Sequence, residues 1–227
     1  MNYLIIGLGN FGAALARKLT ETGHEVIAVD SDFRKVDAIK EEVTHSICLD
    51  CTDPHAVTTL PLKDTDIAII CIGENEGANI LTTALMKQMK VKKLIGRAVS
   101  PLHMTILEAM GIDEIIQPEE ESALRWAEKL NLKGMIDYFD LGSNHLIIEA
   151  EVPERFTGKS LAELQLGAKY NILVLTTIRR VSRVNLIGAK VQRREVQSVA
   201  TASTVLEAGD IMVLYGTRKD ISKLMNE

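Results

Sequence analysis

Several function classes lack their usual raw material in this 227-residue chain. There is no basic excess: 26 Lys and Arg stand against 31 Asp and Glu, a net charge of −5, so no cationic field exists to hold a phosphate backbone, and nucleic acid is not an expected partner. Cysteine is scarce. Cys48, Cys51 and Cys71 lie in or beside strand-like runs with no fourth ligand at metal spacing, and read as buried thiols of a reducing cytoplasm. Cys48 and Cys51 form a C-x-x-C, but it straddles Asp50 at a strand end rather than opening a helix, so a structural role is expected over a redox one. Apolar runs are short: Ile67 to Ile72 is the longest, far below the roughly 20 residues of a membrane span. The N-terminus starts directly into a strand with no signal-peptide pattern. Action at a membrane is therefore expected only through a partner, with no direct insertion. The five histidines, His24, His45, His55, His103 and His145, are scattered and form no His/Lys or His/Asp constellation for general acid–base work.

The informative stretch is Tyr3 to Asp30. An apolar run, Tyr3-Leu4-Ile5-Ile6, leads into Gly7-Leu8-Gly9-Asn10-Phe11-Gly12, and Ala13 to Glu21 then has helical spacing through Ala13, Leu15, Ala16 and Leu19. Gly23 stops that helix, and His24 to Val29 forms a second strand ending at Asp30. Gly7 suits a tight strand-to-helix turn, Gly9 lets backbone approach a pyrophosphate without a Cβ, and Gly12 permits close helix–strand packing. The free N–H groups of the first helical turn face the phosphates. Asp30, about twenty residues past the glycines, stands where a dinucleotide fold puts its ribose-binding carboxylate.

Strands and helices continue to alternate. The spacing predicts helices near 33–42, 55–60, 78–89 and 101–110, and strands near 44–49, 67–72, 93–98 and 114–116, with Asp53 capping and Pro54 opening the short helix. Six such strands make an α/β, Rossmann-like, doubly wound parallel sheet. Gly7 to Gly12, Asp30, Asp50, Gly73 and Arg97 all fall at its carboxyl edge, which is the argument for a nucleotide site. Glu119 to Leu130 is then a helix bearing the one tryptophan, Trp126; it either covers its own domain or reaches a neighbouring subunit. From Asp140 the pattern changes to strands first: 144–152, a helix at 161–166 after Ser160, then 171–179 and 210–215. This predicts two domains, a nucleotide-binding one over 1–133 and a small α+β one over 139–227, joined across 131–138 with Gly134 as a hinge. Arg179 to Glu195 is rich in arginine and lysine, either as a solvated hairpin or as an anion or partner patch.

These segments closely resemble the Trk/Ktr-type regulatory subunits of potassium uptake systems, the RCK or KTN family. The resemblance rests on Gly7 to Gly12, Gly23 to Asp30, Val43-Thr44-His45, Ala68 to Gly73, Leu81-Thr82-Thr83, Leu107 to Asp113 and Ile116 to Glu119. In the second domain it rests on Phe156 to Leu161, Ala168-Lys169-Tyr170 and Gly209 to Val213. It implies a cytoplasmic regulator of conductance and not an enzyme, peripheral to the inner face of the cell membrane through a potassium-translocating subunit, and assembled as dimers in an octameric ring. ATP, ADP or NAD(H) would bind the N-terminal domain. Gly7, Gly9 and Gly12 would face the phosphates, Asp30 the ribose hydroxyls and Asp50 the adenine, Arg97 would reach the phosphates, and Asn10, Phe11 and Gly73 would complete the nucleotide-binding set. Glu119 matches a carboxylate that helps hold Mg2+ or Ca2+. Asn10 stands where ATP-responsive members often carry arginine. Some members bind cyclic di-AMP between paired C-terminal domains; a long hairpin over 184–197 and the lack of proline in Ser198 to Thr201 weigh against it here. The alternative that shares the Gly7 to Asp30 fingerprint is an NAD-dependent oxidoreductase.

Overall fold

The computed structural model describes residues 1–131, 134–184 and 190–226, and divides into two compact units, Met1–Glu121 and Ser122–Glu227. The first unit alternates β1 (Asn2–Ile6), α1 (Asn10–Glu21), β2 (Glu25–Asp30), α2 (Phe33–Ile39), β3 (His45–Cys48) and α3 (Pro54–Val57). It continues through β4 (Ile67–Ile70), α4 (Glu76–Gln88), β5 (Leu94–Arg97), α5 (Pro101–Met110) and β6 (Glu114–Ile116), after which α6 (Pro118–Asn131) begins. The strands are all parallel, in the order β3-β2-β1-β4-β5-β6. Strand addition therefore reverses between β1 and β4, and a crevice opens at the carboxyl ends there.

The apolar runs follow from burial on both faces. Leu4 and Ile6 pack on one side with Val29 and Ile70, while Ile5 packs on the other with Val26, Ala28 and Ile69. A strand covered twice needs no polar alternation. Asp53 does cap α3, its side chain accepting from the His55 N–H at 2.8 Å, and Gly111 ends α5 at φ +61°. Two helices start earlier than the spacing predicted. α1 begins at Asn10 rather than Ala13, and α4 begins at Glu76 because the Asn75 side chain accepts from the Ala78 N–H at 3.0 Å.

The second unit holds β7 (Met135–Gly142), β8 (His145–Glu151), α7 (Leu161–Leu164), α8 (Leu166–Tyr170), β9 (Leu173–Val184), β10 (Lys190–Val199), β11 (Ile211–Thr217) and α9 (Arg218–Asn226). Its antiparallel sheet has the order β10-β9-β11-β8-β7. The central β11 and β8 bury Met212, Leu214, Leu146, Ile148 and Ala150, with Ile221 and Leu224 of α9 in the same core. Ser160 and Glu163 form a reciprocal capping box at α7.

Three expectations are corrected here. Residues 135–138 were expected in the joint and instead begin β7, where Met135 is buried and pairs with Ala150; residues 132 and 133 of that joint lie outside the described residues. Helix α9 was not expected at all. The reading of α6 as a cover helix fails, since Leu124, Trp126 and Leu130 are all exposed. The basic stretch is a hairpin in which three cations have carboxylate partners: Arg180 pairs with Glu151 at 2.8 Å, Arg194 with Glu149 at 2.8 Å and Arg179 with Asp210 at 3.5 Å. Its turn, 185–189, lies outside the described residues.

Candidate functional site

A crevice of about 430 Å³ lies at the switch point, lined by Gly7, Gly9, Asn10, Phe11, Asp30, Asp50, Gly73, Arg97 and Glu119 among others. Of the residues singled out in the sequence, the structure leaves only Gly12 off this lining, one layer behind it. Gly7 takes φ +97°, and a Cβ there would stand 2.7 Å from the Ile72 backbone nitrogen. A Cβ on Gly12 would run into the Gly7 carbonyl oxygen. Gly9 differs from both, with open space where its Cβ would be. It is the N-cap of α1 and supplies no side-chain cap, so the first N–H groups of that helix have no side-chain partner. Such donors, at the positive end of a helix dipole, suit an anion.

Asp30 braces this loop from the neighbouring strand. Its carboxylate accepts the Leu8 N–H at 2.6 Å and the Asp32 N–H at 2.8 Å. A carboxylate offers about four acceptor sites, so capacity remains for ligand hydroxyls. Asp50 accepts the Thr52 N–H at 2.9 Å and the Thr52 hydroxyl at 2.7 Å, and these bonds hold its carboxyl below the usual range. The cysteines of the neighbouring C-x-x-C are both free: burial pushes the Cys51 thiol up to about 12, and does the same to Cys71, while Cys48, expected to be buried, is exposed. A thiol at that pKa is essentially never a thiolate near neutrality.

Arg97 closes the other end. Its side chain is 14% exposed, and the guanidinium lies directly on Gly73, where a Cβ would stand 2.6 Å from Nη1 and 2.7 Å from Cζ. Nη1 donates to the Cys71 carbonyl at 3.1 Å, the Phe11 ring centre is 5.8 Å from Cζ, and Nη2 is ion-paired with Glu119. Its Nε is buried with no hydrogen-bond partner. The Asn79 side chain donates to the Ile72 and Arg97 carbonyls at 2.6 and 3.2 Å, tying the ends of β4 and β5 together beneath the site. Glu119 is therefore already engaged by Arg97. Among the described residues no three His, Cys, Asp or Glu side chains gather closely enough to hold a metal ion.

Sequence reasoning missed several lining residues. Lys35 of α2 and Glu74 of the loop after β4 pair at 3.3 Å, joining the two rims of the crevice. Thr82, fully buried on α4, lines the crevice with an unpartnered hydroxyl. A polar residue on the inward face of α4 was the available signal for Thr82; no spacing rule links Lys35 to Glu74.

Comparison with known proteins bears on this geometry. The family model of the TrkA-N domain matches residues 3–118. The chain is 32% identical over 221 residues to Ktr system potassium uptake protein C of Bacillus subtilis, covering 97% of this chain and 94% of that protein. It is 31% identical to Ktr system potassium uptake protein A of Vibrio alginolyticus, with the same coverage. Among solved structures, the GsuK RCK domain superposes with a TM-score of 0.65 at 18% identity, over all of this chain and 48% of that one. The GsuK channel bound to NAD gives 0.61 at 18% identity, over 98% and 38%. At such identity the likeness is one of fold, and the chain spans half or less of those longer chains.

Proposed function

The chain belongs to the TrkA-N domain family, and on that premise we propose that it is the nucleotide-sensing regulatory subunit of a potassium uptake system. The observation that carries the proposal is the relation to Ktr potassium uptake proteins along nearly the full length of both partners. The crevice at the switch point supports the ligand class. An adenine nucleotide, ATP, ADP or NAD(H), lies with its phosphates against the first turn of α1, from Gly9, Asn10 and Phe11, over the floor that Gly7 and Gly12 make. Asp30 takes the ribose hydroxyls, Asp50 and its neighbours take the base, and Arg97, seated on Gly73, takes the far phosphate. The lining carries four carboxylates, Asp30, Asp50, Glu74 and Glu119, against two cations, Lys35 and Arg97. A polyphosphate entering so acidic a crevice gains from Mg2+ or Ca2+, with Glu119 as the protein's carboxylate nearest Arg97.

The regulator works from the cytoplasmic side on a membrane potassium-translocating subunit, as a homo-oligomer of dimers closing into an octameric ring. No helix among the described residues is long and apolar enough to cross a membrane. Nucleotide shifts the assembly between two shapes only by its differential affinity for them; a coupling of about 1–3 kcal/mol is typical. The oxidoreductase reading is the weaker one, because no histidine is among the crevice residues and the one lysine there pairs with Glu74.

The test is potassium uptake at limiting external potassium in cells that carry the membrane subunit but lack this chain. The wild-type chain restores uptake, whereas Asp30→Ala restores little. Full rescue by Asp30→Ala, or steady NAD(H) turnover by the purified protein with a small hydroxy acid, overturns the proposal.

A further inference from the structure

We propose that the Arg97–Glu119 ion pair is a ligand-operated latch on the start of α6: a phosphate that takes Arg97 releases Glu119. The inference rests on the nucleotide reading of the crevice above. Its starting point is the half-used edge of the guanidinium. Nε and Nη2 together present one planar edge that holds an oxyanion through two parallel bonds. Glu119 occupies Nη2 alone, and Nε is buried without a partner. The opposite side is committed to structure, because Nη1 holds the Cys71 carbonyl at 3.1 Å. The guanidinium is seated against Gly73, with the Phe11 ring centre 5.8 Å from Cζ. A phosphate that takes the unpartnered Nε therefore approaches the edge that Glu119 already uses. Two anions on one edge repel, and the phosphate makes both bonds where Glu119 makes one.

The partner that leaves is the exposed one. Glu119 is 63% exposed against 14% for Arg97, so its carboxylate regains water easily. Once it goes, only local bonds hold the first turn of α6, and that turn opens more readily. The Gln117 N–H still donates to Glu121 at 3.3 Å, and the Glu121 N–H still donates to the Gln117 carbonyl at 2.9 Å. What is lost is the tie between β5 and the first turn of α6, the helix that runs from Pro118 to Asn131.

The experiment combines calorimetry with amide hydrogen exchange on the full chain, using ADP as the probe in EDTA. In the wild-type protein, saturating ADP speeds exchange in the peptide covering residues 118–127. Glu119→Gln exchanges fast there without ligand and binds ADP roughly three-fold more tightly, the size expected on removing an exposed competitor. Arg97→Gln also exchanges fast without ligand, but binds ADP roughly 10–100-fold more weakly, having lost a charge-assisted fork. A purely structural Glu119 gives no gain in affinity. If ADP binds with unchanged exchange in α6, or if Glu119→Gln binds no more tightly, the latch is wrong while the nucleotide reading stands. If no nucleotide binds the folded chain, both fall.

Discussion

The same motif asks different things of its three glycines. At Gly12 a Cβ meets the Gly7 carbonyl oxygen, whereas at Gly9 it meets open crevice. Gly12→Ala is therefore expected to lose about 1–3 kcal/mol of stability in urea unfolding. Gly9→Ala, at the N-cap of α1, should cost less, about 0.5–1 kcal/mol, and also weaken nucleotide binding, because its new methyl group occupies the anion approach. The thiols give a second contrast. With Cys51 and Cys71 buried and held at about 12 and Cys48 exposed, a thiol reagent at pH 8 should titrate one thiol in the folded chain and three in denaturant. Asp50 gives a pH test. Its lowered carboxyl stabilises the fold above the ordinary value of 3.8, and that contribution is lost as the pH falls through the depressed one. Thr52→Ala removes the hydroxyl bond, so the Asp50 carboxyl should move back up toward its ordinary value in an NMR titration.

Elements built by local rules were legible; elements built by their neighbours were not. Pro101 to Met110 with Gly111, and Ser160 ahead of Leu161, signal helix starts and stops, and both helices begin there; the one expected over 161–166 ends at Leu164, where Gln165 turns left-handed at φ +51°, and α8 follows it. Ser160→Ala should cost about 1 kcal/mol, measured by chemical denaturation. β7 was hidden because two register shifts, at 135/137 and 140/142, break its alternation, and Phe139 and Leu141 are exposed. α9 was hidden because only Ile221 and Leu224 of its nine residues are buried, too short an apolar pattern to stand out. The candidate site divides the same way. The glycine loop and Asp30 follow a spacing rule. The meeting of Arg97 and Glu119 follows from β5–β6 pairing, which sets Arg97 beside Ile116 and so brings Glu119 near, across 22 residues that no motif connects.

At the scale of the whole molecule, nucleotide and stability are linked through one unit. The crevice is formed entirely by residues 6–119, within Met1–Glu121. A ligand at 100 times its dissociation constant adds about 2.7 kcal/mol to the unit that binds it. Scanning calorimetry with ADP should accordingly raise the melting of the parallel-sheet unit, and a shift confined to the antiparallel-sheet unit would count against the crevice. The central claim, that the crevice is a regulatory nucleotide site, is tested most directly by calorimetric titration of the purified chain with ATP, ADP, NADH and cyclic di-AMP, with and without magnesium, alongside its mass in solution. The account predicts tight binding of an adenine nucleotide without turnover, by an assembly larger than one chain, abolished by Asp30→Ala. Absence of heat with all four ligands from a folded protein would contradict it.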